Sequence, residues 1–232
     1  MTIFDADFTV IHASWEYLFK EGLLFTLKLT GIAMVGGLLF GTLLAVLRLS
    51  SNRYIATLSG AYVNTIRSIP LILVIFWFYF LAPYVASWVT GSDKPVYVGA
   101  FASTVITFIL FEACYYCEII RAGIGSVGVG QKAAGAALGL TAAQNMLYVI
   151  LPQAVRNMLP VLLTQTIILF QDVSLVYVLS ITDFVGAASK LAQRENRLVE
   201  LYSFVALVYF IICFTVSSAA RRLQSERMAQ VV

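Results

Sequence analysis

Charge is what this sequence has least of. Asp, Glu, Lys and Arg make up 12% of its 232 residues, where a soluble domain carries about a quarter. That scarcity, set beside 60% hydrophobic residues, excludes a separate soluble domain and indicates a polytopic membrane protein. Histidine occurs once, at His12, so a His-based metal site, a proton relay and a Ser/His/Asp system have nothing to work with. The cysteines are Cys114, Cys117 and Cys213, all in apolar segments. Cys114-Tyr-Tyr-Cys117 has CxxC spacing, but without a second pair or a neighbouring His it reads as thiols packed in a helix. The phosphate-cradling string GxxxxGK[ST] is missing, so the chain does not itself hydrolyse ATP. A basic n-region is missing too: Asp5, Asp7, Glu16 and Glu21 precede the first apolar run, which is too long for a signal-peptide core, and no signal peptide is expected. There is no internal repeat and no low-complexity tail. No catalytic residue, metal ligand or directly bound cofactor is assigned, and nothing indicates nucleic acid.

What is present is a series of apolar runs. They predict an all-α integral membrane protein, one domain over 1–232, with five transmembrane helices at about 22–47, 54–84, 96–120, 159–180 and 201–220. The first contains Gly37-Leu-Leu-Phe-Gly41, a GxxxG that lets helices approach closely. The second carries Pro70 and an aromatic run from Phe76 to Phe80. Ahead of them, Phe4, Phe8, Ile11, Trp15, Leu18 and Phe19 recur at three to four residues, as in an interfacial helix. Orientation follows from the basic residues. One set of loops holds Arg48, Arg53, Arg121, Lys132, Arg156, Arg221, Arg222 and Arg227; the other holds Lys20, Lys94 and, in a polar loop expected after the fourth span with Glu195 and Glu200, Lys190, Arg194 and Arg197. The bias predicts a periplasmic N-terminus and a cytoplasmic C-terminus, as an odd number of spans requires.

The long interruption, about 122–158, is then cytoplasmic. Gln131 to Leu138 is Ala-rich and suits a short helix. Gly139 is its break. Thr141 and Gln144 have capping-box spacing for a second helix, and Pro152 and Pro160 punctuate the return to the membrane. Within the spans lie Lys28, Arg67, Glu112 and Asp172. Ionisable groups at that depth face a cavity or a partner. Arg67 and Asp172 each lie about 18 Å from the cytoplasmic end of their helix at the α-helical rise, so they are expected at one depth, facing the protein interior and close enough to pair. Asn64, Gln165 and Gln171 are hydrogen-bond donors near them. Glu118 and Arg121 have the spacing of an i,i+3 ion pair.

The interruption resembles the cytoplasmic loop of the membrane subunits of ABC importers. Gly139 and Val149-Ile150-Leu151-Pro152, followed by Gln153-Ala154-x-Arg156, match its Gly and its Ile-x-Leu-Pro tail. The family's Glu-Ala-Ala is replaced by Ala133-Ala134-Gly135, which removes the acid and leaves Lys132 as the charge nearby. VNTIRSIPLILVIFWFYF around Arg67 and LFQDVSLVYVLSITDF around Asp172 are similar to the second and fourth spans of polar amino-acid importers, and the latter is nearest the glutamate/aspartate importers. The resemblance runs from about Gly22 through the fifth span. It implies a type I ABC importer-like permease fold, multi-pass in the bacterial inner membrane. It also implies an ATPase dimer as partner, a sister permease subunit in a homo- or heterodimeric pore, and a periplasmic solute-binding protein delivering an amino acid. ATP is then used by the partner. Gln131, Ala133, Ala134, Gly135, Gly139, Leu151 and Pro152 become the ATPase-coupling residues. Arg67, Asp172, Lys28, Glu112, Asn64 and Gln171 become the substrate pathway, with Arg67 and Lys28 attracting an anionic substrate. A permease for another amino acid, a self-contained secondary transporter or channel, and a non-transporting scaffold are the rival readings. Secondary transporters are often built of paired repeats, which this chain lacks, and a scaffold leaves the buried Arg and Asp unexplained.

Overall fold

The computed structural model describes residues 9–96 and 98–229, with side chains as far as Arg222. Phe4 and Phe8 of the expected interfacial helix and the side chain of Arg227 lie outside the described residues. All described elements are helical: α1 (Thr9–Ala13), α2 (Tyr17–Arg48), α3 (Arg53–Arg67), α4 (Leu71–Thr90), α5 (Ala100–Gly125), α6 (Val129–Ala137), α7 (Ala142–Leu179), α8 (Phe184–Glu195) and α9 (Leu198–Ala229). Five of them, α2, α4, α5, α7 and α9, are long and apolar enough to cross a membrane.

α5 is the centre of the bundle. It buries Phe108, Phe111, Glu112, Ala113, Cys114, Tyr116, Cys117 and Ile120, and its largest contact is with α2. Lipid offers no hydrophobic drive between helices, so close packing of small residues decides who meets whom. A Cβ at Gly41 would stand 2.8 Å from the Ala113 carbonyl oxygen and 2.8 Å from Tyr116 Cβ, and one at Gly37 would stand 3.0 Å from Glu112 Cβ. The GxxxG is therefore the seam where α2 meets α5. The two helices run parallel: Phe25 meets Phe101 near one end, and Arg48 pairs with Glu118 near the other. α7 runs antiparallel to α5, with Gly123 against Met158 and Gln165 against Glu112. Several threonine hydroxyls inside the spans bond their own helices, as Thr30 does to the Thr26 carbonyl at 2.8 Å and Thr107 to that of Ser103 at 2.7 Å. That satisfies polar groups that the bilayer would leave bare.

Four sequence expectations need correction. The run 54–84 is not one helix. The chain breaks at Ser68–Pro70, because Pro70 has no N–H and the residue before a proline is pushed out of the helical region; α3 is amphipathic and α4 alone is the span. Pro152 and Pro160 do not punctuate anything: α7 runs through both. A π turn at Met146–Ile150 immediately precedes Pro152, and such a widened turn relieves the clash a proline ring makes with the preceding turn. The segment 9–20 is not one separate helix either: α1 stops at Ala13. Ile11 and Leu18 are buried with Phe184, Leu191 and Leu201, and the first span already begins at Tyr17. The polar loop after the fourth span contains α8. Asp183 caps it, accepting from Val185 and Gly186 N–H at 3.1 and 2.9 Å, and Asn196 ends it in the left-handed region at φ 53°.

Candidate functional site

α3 ends at Arg67, and the break after it turns the chain so that Ser68, Ile69 and Pro70 form one wall of a cleft of about 360 Å³. The opposite wall comes from α5 and α7: Phe111 and Tyr115, one turn apart, and Gln165, Ile168 and Asp172, which share a helix face. Arg67 lies with its guanidinium 5.1 Å from the Tyr115 ring centroid, a cation–π arrangement. Asp172 lies across the cleft, half-buried. The two line one cavity, but depth in a span does not bring them there: Arg67 is exposed at the end of α3, outside the five candidate spans, and among the described residues no ion pair joins it to Asp172. Both side chains line the cleft, Arg67 against the Tyr115 ring.

Glu112 is fully buried behind that wall. Its Oε2 accepts from Gln165 Nε2 at 3.0 Å, and its Oε1 has no partner. Since Gln165 lines the cleft, Glu112 reaches it through this amide. The other expected pathway residues are elsewhere. Lys28 is on the exposed face of α2 and Asn64 on that of α3, and neither lines the cleft. Gln171 faces α9, donating to Cys213 Sγ at 3.5 Å in a separate groove. Tyr115, Phe111 and Ser68 were not singled out from sequence. The signal for the α7 wall was the i, i+3, i+7 spacing of Gln165, Ile168 and Asp172.

At the far end of α5 and α7 lies a second constellation. Glu118 accepts from Arg121 at 2.8 Å, the expected i,i+3 pair, and also holds Arg48 of α2. Beyond it, α6 and the base of α7 form a helical corner. Gly139 adopts φ 78°; its N–H donates to the Ala136 carbonyl at 3.0 Å and that of Leu140 to the Gly135 carbonyl at 3.2 Å. This is a Schellman end, which a glycine accepts without strain. Thr141 and Gln144 then make both bonds of a capping box, at 3.3 and 2.9 Å. Gln131, Ala133, Ala134 and Gly139 are exposed, whereas Gly135 is buried against Asn145. Leu151 and Pro152 lie just after the π turn. Val129 and Leu138 are 80% and 82% exposed, so α6 presents apolar side chains outward, uncovered by the described residues.

The profile of the binding-protein-dependent transport system inner membrane component family matches residues 37–230. The glutamate/aspartate import permease protein GltK of Escherichia coli O157:H7 is 48% identical over 93% of this chain and 95% of its own length. The probable glutamine ABC transporter permease protein GlnP of Bacillus subtilis strain 168 is 30% identical over 88% of this chain and 91% of its own. Among solved structures, an amino acid ABC transporter crystallised with histidines superposes with a TM-score of 0.83 at 32% identity, covering 97% of this chain and 100% of that one. The MetNI methionine ABC transporter, at 18% identity and TM-score 0.73 over 90% and 96% of the two chains, shares the fold.

Proposed function

The chain belongs to the binding-protein-dependent transport system inner membrane components, and on that premise we propose that it carries acidic amino acids, glutamate and aspartate, through the cleft between Arg67 and Asp172. It is a multi-pass inner-membrane permease subunit of an amino-acid ABC importer, and ATP hydrolysis belongs to a separate subunit. The self-contained transporter and the scaffold fall away with that membership. The acidic substrate rests on one observation above others, the 48% identity to the glutamate/aspartate permease across nearly the whole of both chains. The chemistry of the cleft agrees with it. An amino acid brings carboxylates and an ammonium; Arg67 offers a planar donor fork to the former and Asp172 an acceptor to the latter.

In this reading the N-terminus is periplasmic and the C-terminus cytoplasmic, as the basic residues favour. A solute-binding protein delivers the amino acid from outside, and a sister permease subunit completes a heterodimeric pore. Two ATPase subunits meet the exposed face of α6. The residues offered to them are Gln131, Ala133, Ala134, Gly139 and Leu138, an apolar surface without the acid that the family carries there, so docking relies on shape. ATP binding draws the ATPases together, moves α6, and switches the cleft between its two openings.

Competition identifies the substrate. Proteoliposomes holding this chain with its sister subunit, ATPase and binding protein are expected to take up labelled glutamate, with inhibition by excess aspartate and none by glutamine or arginine. Uptake of glutamine or arginine in its place would discard the acidic-substrate reading. Arg67→Gln is expected to lower the initial rate by roughly tenfold or more, the worth of a charged hydrogen bond, with Arg67→Lys recovering part of it. An unchanged rate in Arg67→Gln would remove Arg67 from the pathway.

A further inference from the structure

The corner between α6 and α7 is held by one buried side chain. Asn145 is 8% exposed. Its Nδ2 donates to the Lys132 carbonyl at 2.8 Å, across from α7 to α6. Its Oδ1 has no hydrogen-bond donor and lies against the Cα of Gly135. A Cβ there would stand 2.6 Å from Asn145 Cγ and 2.9 Å from Nδ2, and would overlap Oδ1. The remaining side-chain bond between α6 and α7 is weak: Gln153 Nε2 to Gln131 Oε1 at 3.4 Å, on the exposed surface. α6 otherwise meets α7 along the π turn at Met146–Ile150 and through the turn at Gly139, where a Cβ added to the left-handed backbone would meet nothing within 4 Å.

α7 continues from this corner without a break to the cleft. Asn145 and Gln165 lie on one helix, about 30 Å apart at the α-helical rise, and Asp172 is two turns further on. A displacement of α6 reaches the cleft only if α6 and α7 move as one body; otherwise it is taken up at Gly139. We propose that Asn145 is the positioning residue that pins α6 to α7, with Gly135 as the space that receives it, so that force applied to α6 is delivered to the cleft-lining helix. This rests on the reading that α6 meets the ATPase. It also gives the departure at 133–135 a physical meaning: the last of the three residues is glycine because the Asn145 amide occupies the volume a methyl would fill.

The test is the ratio of amino acid taken up to ATP hydrolysed in the reconstituted complex. Asn145→Ala frees α6, and Gly135→Ala forces the Asn145 amide out of its place. Each is expected to lower uptake per ATP by about tenfold, the loss of one buried hydrogen bond, while ATP hydrolysis continues. The double variant Gly135→Ala/Asn145→Ala puts a methyl into the vacated space, and is expected to recover several-fold over either single variant. A merely structural corner would lower uptake and hydrolysis together and leave their ratio unchanged. Asn145→Asp, of the same shape but without the donor, is expected to uncouple in the same way and covers the case in which Asn145→Ala does not assemble. A wild-type ratio in Asn145→Asp, or a double variant no better than the singles, would overturn the proposal. Failure of the wild-type complex to couple uptake to ATP at all would count instead against the importer reading.

Discussion

Gly41 shows how much one hydrogen can decide in a bilayer. Its Cα faces backbone, the Ala113 carbonyl, and not the far end of a flexible side chain, so a larger residue must push α2 off α5. Gly41→Leu is expected to cost at least about 3 kcal/mol by overpacking, read as a lower midpoint in thermal unfolding of the detergent-solubilised protein. Gly31→Leu, where nothing lies within 4 Å, is the matched substitution expected to change little. Asp183 makes a pH-dependent statement. Burial pushes its carboxyl up from 3.8 to about 6, against the lowering effect of the Gly186 and Val185 N–H groups. The fold thus holds the proton more tightly than the unfolded chain does, so Asp183's contribution to stability is full below about pH 4, falls as pH rises towards 6, and is level above. Asp183→Asn is expected to remove that slope between about pH 4 and 6 in the same assay. Individual residues were legible in the sequence to unequal degrees. Arg67 and Asp172 stand out as ionisable residues beside apolar runs, although the count of depth that paired them took α3 and α4 for one span. Lys28 and Gln171 were misplaced because depth says nothing about the direction a side chain takes. Gln171 and Asp172 are neighbours in sequence but stand about 100° apart around the helix, so one faces α9 and the other the cleft.

The elements that obey short-range rules are where reading the sequence succeeds. Gly139 and the Thr141/Gln144 pair end one helix and start the next, and the backbone does what those residues demand. Prolines are less dependable, because their effect depends on what the surrounding turns can absorb. Pro70 ends an element, since Ser68 and Ile69 before it leave the helix. Pro152 does not, since a π turn accommodates it, and that turn has no local signature. α8 was missed for a different reason. Its charged residues Lys190, Arg194 and Glu195 give it the look of a loop, although Asp183 before it and Asn196 after it are ordinary start and stop signals. At this scale the corner α6–α7 makes its own prediction. Gly139 sits at φ 78°, where a β-branched residue is strained by roughly 1–2 kcal/mol. Gly139→Val is expected to loosen the end of α6 and lower uptake per ATP, with the protein still inserted and folded. Unaltered coupling in that variant would count against α6 as the moving element.

The whole molecule is two working ends joined by rigid helices. One is the cleft, with unpaired charges of opposite sign from α3 and α7. The other is α6, a short helix whose apolar side chains the described residues leave uncovered. Between them α5 and α7 pack antiparallel, tied by the Gln165–Glu112 bond within the bundle and by the close approach of Gly123 to Met158 nearer the α6 end. An arrangement of this kind has no energy source of its own. In the function proposed above, a separate ATPase subunit drives α6 and the amino acid waits at the cleft. The most direct test of that account is the initial rate of labelled glutamate uptake into proteoliposomes carrying the full importer and internal ATP, measured with the active ATPase and with one unable to hydrolyse ATP. The account predicts sustained, concentrative uptake with the first and none above background with the second. Equal uptake in both would contradict it, because the cleft would then be working without α6 being driven.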